Sequence, residues 1–132
     1  MLEHQIQQFF QSPAFAVVGA SNNRQKYGNK VLRCYLQHHK IVWPVHPAQD
    51  EIENIHVYRT VMDLPSDVKS ISVITPHAVT EKVVELAAKK GIQNIWMQPG
   101  AESELAIEKC EALGINVIAK GPCILVYLGF KD

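Results

Sequence analysis

The residues best placed to do chemistry crowd one stretch, VVGASNNRQKYGNKV at positions 17–31. Gly19 permits a tight exit from an apolar run, and Ala20, Ser21, Asn22 and Asn23 follow as small groups, most of them polar. Arg24, Lys26 and Lys30 concentrate positive charge found nowhere else in the chain, and Gly28 allows close backbone approach where a helix begins. A glycine turn feeding a helix N-terminus suits a phosphate, because unpaired amides and the helix dipole both favour an anion. The pattern is not the dinucleotide fingerprint G-x-G-x-x-G. Ser21 occupies the second glycine position, and the next glycine is Gly28. The second apolar run ends in Val45, His46 and Pro47, with no carboxylate to accept from a ribose hydroxyl. A Walker loop is excluded, since no Gly-Lys-Ser/Thr is present.

Other reactive side chains are scattered. His77 follows an apolar run and has the chemistry of a general base, but loop histidines are more often surface residues. The histidines at 4, 38, 39, 46, 56 and 77 show no ligand spacing, and no Cys-x-x-Cys occurs, so no metal site is expected. Glu102 and Glu104 fit the first turn of a helix, where the dipole accounts for them. Cys123, in the turn GPC, is the one thiol placed for exchange chemistry; Cys34 and Cys110 fall on helical patterns and read as core.

Those residues need a scaffold, and the hydropathy pattern supplies one. Short apolar runs read as buried strands: FAVVG (15–19), IVWPV (41–45), ISVIT (71–75), NIWMQ (94–98) and NVIA (116–119). Trp43 and Trp96 lie within such runs, as core. ILVYL (124–128) reads as a sixth strand or a packed tail. Pro44 is tolerated poorly by a central strand. Helical patterns alternate with the runs. Gly28 to His38 places Val31, Leu32, Tyr35 and Leu36 on one face. Val79 to Lys90 does the same with Val79, Val83, Leu86 and Ala87, followed by Gly91. Glu102 to Leu113 turns Leu105, Ala106, Cys110 and Leu113 inward, and Gly114 stops it. Leu2, Ile6, Phe9 and Phe10 form an N-terminal stripe that Pro13 ends. Between residues 46 and 69 only Thr60 to Leu64 suggests a helical turn.

This alternation predicts an α/β fold: a doubly wound, Rossmann-like parallel sheet of about five strands with an N-terminal helix. At 132 residues the chain makes one domain, 1–132, large enough to fold without disulfides. Thirteen basic and thirteen acidic residues balance, which argues against bulk nucleic-acid or anionic-membrane binding. No apolar run approaches the ~20 residues of a membrane span, and the start MLEHQIQQFF lacks the pattern of a secretory signal. Three widely spaced cysteines suit reduced thiols, so a cytoplasmic location is expected. A homodimer is left open.

Taken in order, VVGASNNRQKYGNKV, WPVHP, ITPHAVTEKVV, IWMQPGAES and GPC resemble the small stand-alone CoA-binding proteins. Their fold is that of the N-terminal CoA-binding domain of the succinyl-CoA synthetase alpha subunit, and the resemblance runs from about Phe15 to Val126. It implies that Gly19, Ala20 and Ser21, with Asn22 beside them, form the phosphate loop, and that Lys26, Tyr27, Gly28 and Asn29 open the following helix. It puts His46 and Pro47 beside the adenosine, Thr75, Pro76 and His77 at the adenine, and Met97, Gln98, Pro99 and Gly100 along the cleft. The ligand implied is CoA or an acyl-CoA. Two departures stand out: Ala48 and Gln49 occupy the place of a synthetase lysine, and His46 that of the common asparagine. The synthetase's phosphorylated histidine lies in a second domain with no counterpart here. The implied role is therefore non-catalytic CoA binding, as carrier, sensor or redox buffer. The alternatives are an NAD(P)- or nucleotide-linked oxidoreductase with a variant glycine loop, and an interaction subunit with a vestigial cleft.

Overall fold

The structure is a computed structural model that describes residues 2–132. Its elements run α1 (Leu2–Phe9), β1 (Ala14–Val18), α2 (Tyr27–Gln37), β2 (Val42–Val45), β3 (Glu51–Ile52), β4 (Ile55–His56), a single 3-10 turn (Val61–Asp63), β5 (Val68–Val73), α3 (His77–Lys90), β6 (Asn94–Met97), α4 (Glu104–Ala112), β7 (Asn116–Ile118) and α5 (Ile124–Leu128). Five strands make one parallel sheet in the order β2-β1-β5-β6-β7. The chain leaves β1 toward one edge and returns at β5 toward the other. The crevice between the carboxyl ends of β1 and β5 is therefore the topological switch point, where ligands bind in open parallel sheets.

Strand residues alternate between two cores. Ala14, Ala16 and Val18 of β1 face α3 and α4, in a cluster with Val84, Ala87, Ala106 and Cys110. Phe15 and Val17 face α1, α2 and α5, in a cluster with Phe9, Leu32, Tyr35, Trp96 and Ile124. Trp96 is wholly buried, meets Phe9 edge-on at 5.4 Å and donates from Nε1 to the Pro122 carbonyl at 3.0 Å. Near the amino ends of the strands, buried and half-buried polar groups serve the fold. Ser70 donates to the Phe9 carbonyl at 2.6 Å, and Asn116 donates to the Gln5 carbonyl at 2.9 Å. The bond from Ser70 satisfies the orphan carbonyl of the last residue of α1.

Four expectations need correction. ILVYL is neither a strand nor a tail; it forms α5. The 46–69 stretch contains the antiparallel hairpin β3–β4 as well as the expected turn. Its reversal passes through Glu53 and Asn54 at φ +51° and +64°, and Glu-Asn is not one of the glycine-bearing dipeptides that signal such turns. Val79, Leu105 and Leu113 are exposed, at 44%, 48% and 54%, so the buried stripes of α3 and α4 are narrower than the pattern implied. Glu102 precedes the helix that was to contain it, because Ser103 caps α4 by accepting from the Ala106 amide at 3.0 Å.

Pro44 does lie within a strand, but β2 is an edge. Its carbonyl faces outward and accepts from Tyr58 N at 3.0 Å, so its missing N–H also points away from β1. Cys34 and Cys110 are buried, and burial pushes their thiols up to about 11 and about 12 from 9.0. Their unfolded forms ionise first as pH rises. The stability held below pH 9 is therefore lost progressively toward those values.

Candidate functional site

Two glycines bring the first loop, α2 and the switch point into contact. Gly19 leaves β1 at φ +94°, and a Cβ there would lie 1.9 Å from the Ile74 carbonyl oxygen. A Cβ on Gly28 would lie 2.1 Å from the Gly19 carbonyl oxygen. The start of α2 thus rests directly on the turn after β1, which itself rests on the end of β5.

The loop between them is held by its own side chains. Ser21 Oγ accepts from Asn23 N at 3.1 Å, and Asn23 Oδ1 accepts from Gln25 N at 3.0 Å. Buried Asn29 donates to the Ser21 carbonyl at 2.8 Å and to Glu53 Oε2 at 3.1 Å, and accepts from Arg33 Nε at 2.7 Å. Arg33 donates in turn to the Arg24 carbonyl at 2.9 Å. Asn22 donates to Gln49 Oε1 at 2.8 Å, tying the loop to the segment after β2.

The expected concentration of positive charge is largely neutralised by partners distant in sequence. Arg24 pairs with Glu53 at 3.2 Å, and Lys30 pairs with Asp132 at 3.4 Å. Among the described residues Lys26 forms no ion pair, and it is exposed at the N-cap of α2. No side chain caps that helix and no acidic residue occupies its first turn, so its dipole and Lys26 act together.

A cleft of about 250 Å³ opens across the switch point, with Gly19, Pro47 and Thr75 at its edges and Val45, Val61 and Val83 in its walls. Thr75 also lines a second hollow with Pro76 and Gly100, of about 300 Å³. A larger hollow, of about 470 Å³ beside Gly91 and Gly114, sits by the loops that lead into β6 and β7, away from the glycine turn. The Thr75 hydroxyl lies 2.7 Å from that of buried Thr80, which joins the end of β5 to the first turn of α3.

The remaining expected site residues divide. His46 Nδ1 accepts from the amides of Ala48 and Gln49 at 3.0 and 3.1 Å, so this nitrogen holds its own turn. His77 is exposed at the first residue of α3. Met97 is completely buried in the core beneath α3 and α4, so its side chain is not presented to the cleft. Gln98 is also fully buried and reaches the other face. Its Oε1 accepts from Ile124 N at 3.0 Å and from the Tyr27 hydroxyl at 3.1 Å. The Cys123 thiol lies 2.6 Å from Tyr27 Oη, within hydrogen-bond reach. Burial, then the bond with Cys123, raises the Tyr27 phenol well above its ordinary range. Gln98 Nε2 is left without a partner.

Sequence reasoning missed Arg59, Val61 and Leu86 as cleft residues. Leu86 was read as core, and the other two sit on a segment whose path depends on the unforeseen hairpin. Among the described residues no cluster of three or more His, Cys, Asp or Glu could hold a metal, and no helix is long and apolar enough to cross a membrane.

A five-stranded parallel sheet with a glycine turn and an uncapped helix at its switch point defines a Rossmann-like binding domain. A family model described as a CoA binding domain matches residues 13–129, and the chain belongs to that family. It is similar to an ADP-forming acetate–CoA ligase of Methanocaldococcus jannaschii, 29% identical over 90 residues; the match covers 68% of this chain and only 13% of the ligase. The solved structure of a conserved hypothetical protein from Pyrococcus furiosus aligns with a TM-score of 0.82 at 41% identity, covering 86% of this chain and 97% of that one. A hypothetical protein from Pyrococcus horikoshii aligns with a TM-score of 0.88 at 26% identity, covering 96% and 88% respectively.

Proposed function

We propose that the chain binds CoA or an acyl-CoA across the carboxyl ends of β1, β5 and β6, and that it performs no catalysis of its own. The observation that carries this reading is the uncapped start of α2, packed on Gly19 with Lys26 unpaired beside it, in a chain of the CoA binding domain family. The pyrophosphate lies over the loop 19–21 and the first turn of α2. The adenosine enters the cleft between Pro47 and Thr75. Gly100 borders the second hollow, along which the pantetheine leaves. His46 and Pro47, rather than a carboxylate, directly follow β2, which favours CoA over NAD(P). The spread of reactive groups favours binding over chemistry, since among the described residues no nucleophile–base pair lines the cleft.

The test is a thermal scan of the full chain with CoA, NAD, NADP and ATP. A ligand at 100 times its Kd stabilises the native state by about 2.7 kcal/mol, which for a domain of this size raises Tm by roughly 10 °C. CoA is expected to produce that rise. A shift with NAD or NADP and none with CoA would overturn the reading.

Lys26→Ala is expected to weaken CoA binding by roughly 1–3 kcal/mol, the scale of a charge-assisted hydrogen bond. Stability without ligand should hardly change, because an exposed lysine contributes little to folding. Calorimetry with an unaltered Kd would remove this helix start from the site.

A further inference from the structure

We propose that Arg59 is a specificity residue of the cleft, recognising a phosphomonoester carried by a ligand whose aromatic base occupies the apolar interior. This inference rests on the CoA reading and assigns the 3′-phosphate of the adenosine to Arg59.

The cleft is small and apolar. Whole pockets for drug-sized ligands run to roughly 300–1,000 Å³, so about 250 Å³ takes one part of a ligand rather than all of it. Its walls come from Val45, Val61, Val83 and Leu86, and among the described residues Arg59 is the one charged side chain that lines it. An apolar slot with one guanidinium at the rim fits a flat ring bearing an anion nearby. In CoA the adenine base and the ribose 3′-phosphate stand in that relation.

Arg59 is poised to change partners. The same side chain lines a second hollow on its other side, with Asp50, His56 and Asp63. In the structure one guanidinium nitrogen donates to the Gln49 carbonyl, and the other pairs with the Asp50 carboxylate. The ion pair is exposed, at 48% for the Arg59 side chain and 88% for Asp50, so it contributes little to stability and its exchange costs little. A guanidinium has five N–H donors, and a phosphomonoester offers more charge than one carboxylate. The Gln49 carbonyl can keep its bond while the other edge of the fork turns from Asp50 to the phosphate. Asp50 is then a competitor for the same donors, and its removal should strengthen phosphate binding.

The experiment is titration calorimetry of the full chain with CoA and with dephospho-CoA, which differ only in the 3′-phosphate. Wild type is expected to bind CoA roughly tenfold to hundredfold tighter. In Arg59→Ala that gap should close by loss of CoA affinity alone, with dephospho-CoA binding unchanged. In Asp50→Asn the gap should widen. Equal affinity of wild type for both ligands, or an Arg59→Ala variant that keeps the gap, overturns the assignment while leaving CoA binding intact. Failure of wild type to bind either ligand overturns the CoA reading itself, and the role of Arg59 with it.

Discussion

Gly28→Ala is expected to cost about 2–4 kcal/mol of stability, lowering Tm by roughly 7–14 °C. Helix propensity alone predicts the opposite, since alanine is favoured over glycine by about 1 kcal/mol in a helix interior. Packing reverses the sign. The added Cβ would meet the Gly19 carbonyl oxygen at 2.1 Å and its carbon at 3.1 Å, and both are backbone atoms that cannot rotate away. Relief requires α2 to lift off the turn after β1, which would also open the site proposed for the pyrophosphate. Gly100→Ala is the control. Its backbone is left-handed, at φ +94°, where that of Gly28 is helical, and a Cβ there meets nothing within 4 Å. Its cost is therefore the left-handed conformation alone, roughly 1–2 kcal/mol. Chemical denaturation of both variants decides the matter: a Gly28→Ala protein as stable as wild type would show that the helix start does not rest on Gly19.

Trp96→Ala is expected to cost about 3–5 kcal/mol, the usual penalty for emptying a large buried aromatic site. The side chain is fully buried between α1 and the turn that leads into α5. Trp96→Phe keeps the ring contact with Phe9 but leaves the Pro122 carbonyl without its donor, for a loss of roughly 1–3 kcal/mol. The second variant should fold and also report on Cys123, which follows Pro122. Loosening this turn frees the thiol from Tyr27, so labelling of Cys123 at pH 8 should accelerate in Trp96→Phe. Cys34 and Cys110 should stay unlabelled in the native protein. Burial keeps both protonated, with thiols pushed up to about 11 and about 12. A labelling rate at Cys123 identical to wild type would mean that Trp96 does not hold the turn.

The fold was legible because its signals are local. FAVVG, ISVIT and NIWMQ are buried on both faces as β1, β5 and β6, and so appear as continuous apolar runs rather than alternating ones. The glycines after α3 and α4 stand where those helices end. The boundaries of the helices drifted by one or two residues because caps depend on backbone angles. ILVYL was misread because five apolar residues carry no period that separates strand from helix. Gly129 at φ +78° ends α5, and Gln98 Oε1, from across the sheet, accepts its first amide.

The amino-acid sequence by itself determined the alternating architecture, the glycine turn at the end of β1, and the family to which these segments belong. Tertiary structure decided which charges remain free. Arg24 and Lys30 are neutralised by Glu53 and Asp132, which lie 29 and 102 positions away, so their apparent concentration with Lys26 was a property of the chain and not of the surface. It also decided which residues meet at the cleft, bringing Arg59 to its rim through a hairpin with no glycine signal and sinking Met97 into the core. Charge pairing and side-chain facing are set by contacts between segments far apart in sequence. Spacing along one chain carries period and polarity, but it does not specify which distant group will stand opposite.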